Sequence, residues 1–166
     1  RVIAETTTKS DKVDAEVLAR FLLLDILPEA WRPTPRVREH RVLVRHRRWL
    51  DGRITAAKCK LRYKLAHYNA DIEGLFTEKG RQYLKQFKVS DADRFEIEHL
   101  LADLELHQQQ LAQADQQLRQ FAKEAPAAER EARAVLDSIP FVGPVTIDAV
   151  LSELGDKAKT MDQVAI

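Results

Sequence analysis

Apolar residues recur at alternating steps of three and four positions between Ile97 and Ala125, with no Gly or Pro among them. His107 is the one polar member of this heptad, which comprises Ile97, Leu100, Leu104, His107, Leu111, Ala114, Leu118, Phe121 and Ala125. Such spacing aligns one apolar stripe along a helix and is typical of helices that pair. Ser90 and Asp91 are suitable N-caps. The stretch therefore predicts a long helix that must bury its stripe against a partner.

Residues 36–69 contain no proline and supply a candidate partner. Apolar residues again follow three- and four-residue steps, broken by Arg47 and Lys64, at Leu43, Leu50, Ile54, Ala57, Leu61 and Tyr68. A short region containing a brief helix near 81–87 joins the two stretches. The economical arrangement is a long antiparallel coiled-coil hairpin, whose seam is either closed within one chain or shared between chains.

The two long stretches carry opposite charge. Residues 36–64 hold eleven Lys/Arg and two acids, a net charge of +9, whereas residues 91–131 hold ten acids and four bases, a net charge of −6. The overall charge of +1 conceals this separation. Opposite charges favour pairing of the two helices, and a basic surface of this density is typical of proteins that bind phosphate and nucleic acid.

The flanking segments are also mainly helical in pattern. Residues 1–5 alternate weakly and predict a strand, and a helix is expected from Ser10 or Asp11 to about Leu24. Prolines mark a linker after it. Pro126 opens a predicted helix over 126–138, and Pro144 opens a second apolar helix. We therefore predict a mostly all-α chain.

Bulk properties exclude several classes. The chain has five Gly and six Pro in 166 residues, which favours long helices over a turn-rich all-β fold. Cys59 is alone, so no internal disulfide forms and a reduced cytoplasmic setting fits. No apolar run approaches the ~20 residues that span a bilayer, and the five histidines lack zinc-site spacing. The chain begins at Arg1, without an initiator Met, and we interpret it as an internal fragment.

The basic stretch contains the first candidate site. Arg38, Arg41, Arg45 and Arg48 follow steps of three and four, which places them on one helix face opposite the apolar seam. Guanidinium groups bind phosphate oxygens in a bidentate way. Arg62 is a further candidate. Trp49 either stacks on a base or, as the pattern favours, packs in the core. The alternative for the whole face is solvated charge paired to the acidic helix.

Asp11 and Asp14 form the second candidate site. They lie three residues apart at a predicted helix start, where both carboxylates can project to one side and share a divalent metal. Metal ions held in this way activate water or a leaving oxygen in nucleases. The simpler interpretation is that Asp11 caps the helix and Asp14 complements its positive end.

A helix, a tight Pro/Gly turn and a second helix at residues 136–154 form the third candidate. The backbone amides of Val145 and Thr146, with Gly143 before them, would lie unpaired at the second helix N-terminus, where the helix dipole favours an anion. A helix-hairpin-helix holds a DNA phosphate in this way. A plain helical turn, with apolar residues filling a core, accounts for the pattern equally well.

The order of these motifs resembles the DEDD-type insertion-sequence transposases, relatives of the Piv/MooV DNA invertases. The resemblance covers nearly the whole chain and rests on the KSDKVDAEVLAR stretch (Lys9–Arg20), the coiled coil, and SIPFVGPVT followed by LSELGD (Ser138–Asp156). The family turn usually reads Pro-Gly-x-Gly, and Phe141 stands here in place of the first Gly. That departure preserves the helical joint and alters the phosphate-binding turn.

The resemblance implies three regions: the end of an RNase H-like catalytic domain (1–27), a coiled-coil domain (28–125) and the start of a C-terminal transposase domain (126–166). It implies four acids that bind Mg²⁺, of which Asp11 and Asp14 match the last two, and a serine nucleophile beyond Ile166. It also implies DNA as substrate, a structured guide RNA, and assembly into dimers or tetramers in the bacterial cytoplasm, with no membrane partner.

We therefore predict a fragment of a transposase or site-specific recombinase that is inactive alone, since it lacks two acids and the serine. Its own contribution would be nucleic-acid binding and oligomerisation. Two alternatives remain: a non-catalytic coiled-coil oligomerisation module, in which charge serves only helix pairing, and a helix-hairpin-helix accessory protein of DNA repair.

Overall fold

The structure is a computed structural model that describes residues 11–26 and 32–155. Six helices make up its regular structure: α1 (Asp11–Leu23), α2 (Pro35–Ala66), α3 (Glu78–Gln86), α4 (Asp91–Lys123), α5 (Ala127–Asp137) and α6 (Pro144–Leu154). No strand occurs in these described ranges. The prediction of a mostly helical chain is confirmed. The strand predicted at residues 1–5 lies outside the described residues.

The chain divides into two compact units, residues 1–32 and residues 33–166. The first unit contains α1, which begins at Asp11 as the sequence predicted and ends one residue before Leu24. The second unit contains the other five helices. Within it, α2 packs against α4 and α6, and α5 packs against α6.

Polar side chains begin the long helices. Thr34 caps α2, accepting a hydrogen bond from the Val37 amide, and Ser90 caps α4 through the Asp93 amide. These contacts satisfy amides that have no partner within the helix. At its other end α2 stops at Ala66, three residues earlier than predicted, because Asn69 adopts a left-handed backbone with φ 51°. The Ala70 amide then donates to the Leu65 carbonyl at 3.0 Å, which closes the helix end.

The shorter helices depart from the predicted bounds by a few residues. α3 begins at Glu78, three residues before the predicted start at 81, because the Thr77 side chain caps it. A side chain at Gly80 would place its Cβ 2.2 Å from the Leu75 carbonyl oxygen, so only glycine permits this close approach. Pro126 occupies the cap position of α5 instead of its first turn, whereas Pro144 lies in the first turn of α6 as predicted.

The core lies between α2 and α4 and consists of the predicted stripes. Ile54, Ala57 and Leu61 of α2 are buried against Ile97 and Leu104 of α4. A second cluster at the α2 end contains Leu65, Ala70, Leu75 and Leu84, which joins α3 and its preceding loop to the pair. Burying apolar side chains of this size stabilises the fold by about 1.5–3 kcal/mol each.

Ion pairs show the relative direction of the two long helices. Arg47 pairs with Asp115 at 2.6 Å, Lys60 with Glu96 at 2.8 Å, and Lys64 with Asp93 at 2.7 Å. The partners on α4 move backwards as the residue number on α2 rises, so the helices run in opposite directions. Arg47 and Lys64 interrupt the apolar pattern of α2 because they carry these cross-helix pairs.

Candidate nucleic-acid interface

The cations of α2 fall into two groups. Seven of the eleven Lys/Arg over residues 36–64 pair with carboxylates: Arg36, Arg41, Arg45, Arg47, Lys60, Arg62 and Lys64. The other four have no acidic partner among the described residues: Arg38, Arg48, Arg53 and Lys58. Three of the paired cations contact α4, one contacts α5, two contact α6 and one contacts Asp71.

The end of α6 divides the predicted four-arginine face. Arg41 donates to the backbone carbonyls of Ser152 at 2.7 Å and Glu153 at 2.9 Å. Cations at a helix C-terminus satisfy carbonyls that lack partners and complement the negative end of the dipole. Arg45 pairs with the Glu153 carboxylate at 3.0 Å yet remains 67% exposed. Arg41, one of the four arginines predicted to bind nucleic acid, is therefore covered by α6, and its side chain is only 20% exposed.

Arg38 and Arg48 remain exposed on that face. Neither side chain has a hydrogen-bond or ion-pair partner among the described residues. Arg62 is exposed too, but it pairs with Asp71 at 3.2 Å and lies over the Phe76 ring. The predicted nucleic-acid residues of α2 thus differ in how readily they can release a protein partner for a phosphate.

We call one set of exposed α2 residues the α2 solvent face; its members are Arg38, Val42, Arg45, Arg48, Trp49, Gly52, Arg53, Ala56, Cys59 and Tyr63. The two acids of α2, Glu39 and Asp51, lie about 100° or more around the helix axis from the centre of this face. The surface therefore carries cations and aromatic rings with no carboxylate of α2 among them.

Trp49 lies on this face and not in the core. Its side chain is 53% exposed, and the neighbouring Leu50 takes the fully buried position instead. The sequence-based preference for a core tryptophan is wrong, because the ring is one position away from the apolar seam. His46 stacks beside Trp49 at 5.9 Å between ring centroids, and the Arg53 guanidinium lies 5.8 Å from its ring.

In the turn between α5 and α6, a residue other than glycine adopts a backbone conformation that favours glycine. Phe141 has φ 68°, in the left-handed region, and its side chain is entirely exposed. A residue with a Cβ is strained in this conformation. The Thr146 amide donates to the Gly143 carbonyl at 2.9 Å, so the prediction that it is unpaired is wrong. The Val145 amide has no partner among the described residues.

A buried polar network that sequence analysis missed joins α2, α5 and α6. Asp148 on α6 accepts hydrogen bonds from His40 at 3.0 Å and Arg133 at 2.8 Å. Arg133 also pairs with Glu129 at 2.9 Å, and Arg36 pairs with the other oxygen of Glu129 at 2.6 Å. The available signals were the four-residue spacing within each helix and one aspartate inside an apolar helix.

Two carboxylates in this network have lowered pKa values. Burial alone raises the pKa of Asp148, but its hydrogen bonds from His40 and Arg133 outweigh burial and hold that pKa below its usual range. Burial likewise raises the pKa of Glu129, but its hydrogen bonds from Arg36 and Arg133 outweigh burial and lower that pKa. Both groups are therefore ionised near neutral pH. The network fixes the position of α6, and with it the end of α6 that contacts Arg41.

Asp11 and Asp14 lie in the first turn of α1, where Asp11 is exposed and Asp14 half-buried. Two carboxylates three residues apart on a first turn match the oxygen ligands that Mg²⁺ prefers, as part of a site. In the described ranges 11–26 and 32–155 no group of three or more His, Cys, Asp or Glu side chains is placed to hold a metal ion. The donor set present thus consists of two carboxylates, which is fewer than the ligands that a magnesium site needs.

Comparison with protein-family models, curated proteins and solved structures finds no match to this chain. Within the described residues, no helix is both long enough and apolar enough to cross a membrane. The assignment of function therefore depends on the surfaces described above.

Proposed function

We propose that this chain is part of an insertion-sequence transposase or site-specific recombinase, and that its own activity is to bind nucleic acid through the α2 solvent face. One observation carries the proposal. Arg38, Arg48 and Arg53 are exposed on one helix with no acidic partner among the described residues, and no carboxylate of α2 shares their face. Exposed guanidinium groups without a protein partner are available to an external anion.

A phosphate backbone is the anion that best matches this face. Guanidinium groups bind phosphate oxygens in a bidentate way, and release of condensed counterions drives the association. Arg45 can exchange the exposed Glu153 carboxylate for a phosphate. Arg41 supports the site differently, because it holds the C-terminal carbonyls of α6 against α2.

The α5–α6 turn offers a second phosphate contact. The Val145 amide, exposed at the N-terminus of α6, is free to donate to a phosphate oxygen, and the helix dipole favours an anion there. Thr146 would contribute its exposed hydroxyl instead of its amide. This turn would act as the helix-hairpin-helix of the transposase domain.

Asp11 and Asp14 would hold Mg²⁺ together with two acids that lie outside this chain. The bound metal would supply charge stabilisation for strand cleavage. The role of this chain's residues is to present two carboxylates from one helix turn. A serine nucleophile, also outside this chain, would complete the enzyme, which cuts and rejoins DNA strands in the bacterial cytoplasm.

The paired helices α2 and α4 would form the antiparallel coiled-coil hairpin that connects the RNase H-like and transposase domains. In this arrangement a structured guide RNA and DNA are the partners of the basic face, and the hairpin contributes to a dimer or tetramer.

A second candidate is a coiled-coil oligomerisation module without nucleic-acid binding. Three exposed residues of α2 favour it, because Val42 lies seven residues before Trp49 and Tyr63 lies fourteen residues after it. Exposed apolar residues at heptad positions are typical of helices that pair with another chain. In this candidate the arginines would serve only solubility and helix pairing.

The test compares two triple variants that remove equal charge. Arg38→Gln, Arg48→Gln and Arg53→Gln together should weaken RNA and DNA binding and reduce the log–log salt slope by about 2 to 3. The control, Lys79→Gln, Lys85→Gln and Lys88→Gln, removes three exposed lysines from α3 and its following loop and should leave the slope near wild type. Light scattering of the same samples distinguishes the candidates: a stable oligomer without binding supports the second. The chain alone should not cleave DNA with Mg²⁺.

A further inference from the structure

Two exposed aromatic side chains share the α2 solvent face with its cations. Trp49 is 53% exposed and Tyr63 is 68% exposed. Each ring contacts a neighbouring histidine: His46 at 5.9 Å beside Trp49 and His67 at 4.6 Å against Tyr63. The two rings are fourteen positions apart in the sequence, which corresponds to about 21 Å along the helix.

Three residues between these rings on the same face have small side chains and are exposed to solvent. Gly52, Ala56 and Cys59 lie between them on the same face, and all three are exposed. A Cβ built at Gly52 would meet no atom within 4 Å. A ligand strand can therefore lie close to the helix backbone while it contacts both rings.

We infer that this face binds an unpaired strand of nucleic acid, with bases stacked on Trp49 and Tyr63 and phosphates bound by Arg48 and Arg53. The inference rests on the proposed function and deepens it by naming the strand type. In a duplex the face of each base is covered by its neighbours, whereas the faces of unpaired bases can stack on aromatic rings. Alternation of exposed rings and cations is the arrangement that single strands require.

A groove beside Trp49 extends the site. Its volume is about 260 Å³, and two of its lining residues, Arg53 and His107, contact the Trp49 ring. Asp103 lines the same groove and has no ion pair among the described residues. This carboxylate can accept a hydrogen bond from the exocyclic amine of a base that enters the groove.

Charge argues against a second copy of the chain on this face. Pairing two α2 solvent faces would bring Arg38, Arg45, Arg48 and Arg53 of each chain toward the same residues of the other. Like charges placed opposite each other oppose helix pairing, whereas the phosphates of a single strand neutralise them. A polyanion is therefore the favoured occupant.

The experiment uses Trp49 as its own probe. In a Trp31→Phe background Trp49 is the sole tryptophan, because the chain contains two. Titration with an unlabelled single-stranded RNA should quench the Trp49 emission, and an RNA duplex of equal length should quench it far less. Trp49→Ala and Tyr63→Ala, each made in the wild-type chain and measured by competition with labelled RNA, should weaken single-strand binding about 5- to 100-fold. Trp49→Phe should restore most of the affinity.

Phe95→Ala is the matched control. Phe95 is 64% exposed on α4 and contacts His99 at 4.2 Å, so it reproduces the ring–histidine pair on the acidic helix. Its removal should leave single-strand affinity unchanged. Circular dichroism confirms that each variant is folded.

Three results would overturn the inference, and they are distinguishable from failure of the proposed function. The first is that RNA does not quench Trp49 and that Trp49→Ala does not change the affinity, while binding still depends on Arg38, Arg48 and Arg53. This result rejects the stacking site and leaves the proposed function standing. Equal binding of single strand and duplex does the same. Trp49→Ala that changes the oligomeric state and not RNA affinity identifies the face as a self-interface. Absence of all nucleic-acid binding rejects both proposals.

Discussion

The two ends of the α2–α4 pair are held together by different forces. At the end that contains Arg36 and His40, buried charges on α5 and α6 join the pair through Asp148. At the other end Leu61 and Leu65 are fully buried in apolar clusters, and the charges of Lys64 and Asp93 lie at the rim. One end is therefore fixed by directional polar contacts, and the other by apolar burial.

This difference separates function from bulk stability. Apolar burial stabilises a pair of helices without fixing what approaches its surface, whereas the polar network places the end of α6 beside Arg41 and Arg45. Buried ion pairs add little net free energy, but loss of one partner leaves an uncompensated charge. The two ends should therefore respond differently to substitution, acid and salt.

The largest expected effect is at the polar end. Asp148→Ala leaves His40 and Arg133 buried without their acceptor and should lower the free energy of unfolding by about 3–5 kcal/mol. Urea denaturation measures it. Glu153→Gln changes an exposed acid on the same helix and should cost less than about 1 kcal/mol. Equal effects from the two variants would contradict the role assigned to the network.

At the apolar end Leu61→Ala should lower the free energy of unfolding by about 2–5 kcal/mol, because it leaves a cavity between α2 and α4. Leu106→Ala removes the same side chain from a position that is 50% exposed and provides the control. Guanidinium denaturation of both variants compares them directly. A loss at Leu61 no larger than at Leu106 would show that the pair is not held by this core.

Acid should weaken the polar end. The pKa values of Asp148 and Glu129 are lowered by folding, so their contribution is complete above the unfolded-state values of about 4 and disappears as pH falls through the folded-state values. Stability should decline as pH drops below about 5. Asp148→Asn should be less stable at pH 7 and lose less on acidification. A parallel decline in both proteins would remove Asp148 as a cause.

Salt distinguishes the rim charges from the buried ones. The pKa of Asp93 is lowered chiefly by its hydrogen bond from Lys64, and the pKa of Lys64 is raised by Asp93 and Glu96. Because this rim cluster is accessible to solvent, its contribution to acid sensitivity should diminish in about 1 M salt, where screening is strong. The acid sensitivity that depends on Asp148 should persist.

The smallest expected effect is at the α5–α6 turn. Phe141→Gly removes left-handed strain from an exposed residue and should raise the free energy of unfolding by about 0.5–1 kcal/mol. Gly143→Ala, at a residue with φ −98° and open space around a Cβ, should be close to neutral. Thermal melts compare the pair. Destabilisation by Phe141→Gly would mean that the ring has a structural contact.

Local sequence signals predicted the helices because periodicity, Ser90, Pro144 and the heptad act over short distances. The contacts of His40 and Arg36 with α5 and α6 lie 93 to 108 residues away in sequence, and no local pattern encodes them. For the same reason the sequence of α2 did not show that Arg41 contacts the end of α6 instead of open solvent. Trp49 was predicted in the core, but the neighbouring Leu50 occupies the buried position.

Cys59 offers the most direct test of the α2 solvent face, because the chain has one cysteine and it is exposed on that face. The measurement is the rate of its alkylation by N-ethylmaleimide with and without saturating single-stranded RNA. Bound RNA should slow the reaction at least several-fold at low salt, and high salt should restore the rate. A chain with Cys59→Ser and Ala102→Cys, which moves the thiol to α4, should react equally fast in both conditions. An unchanged Cys59 rate in a fully formed complex would contradict the account.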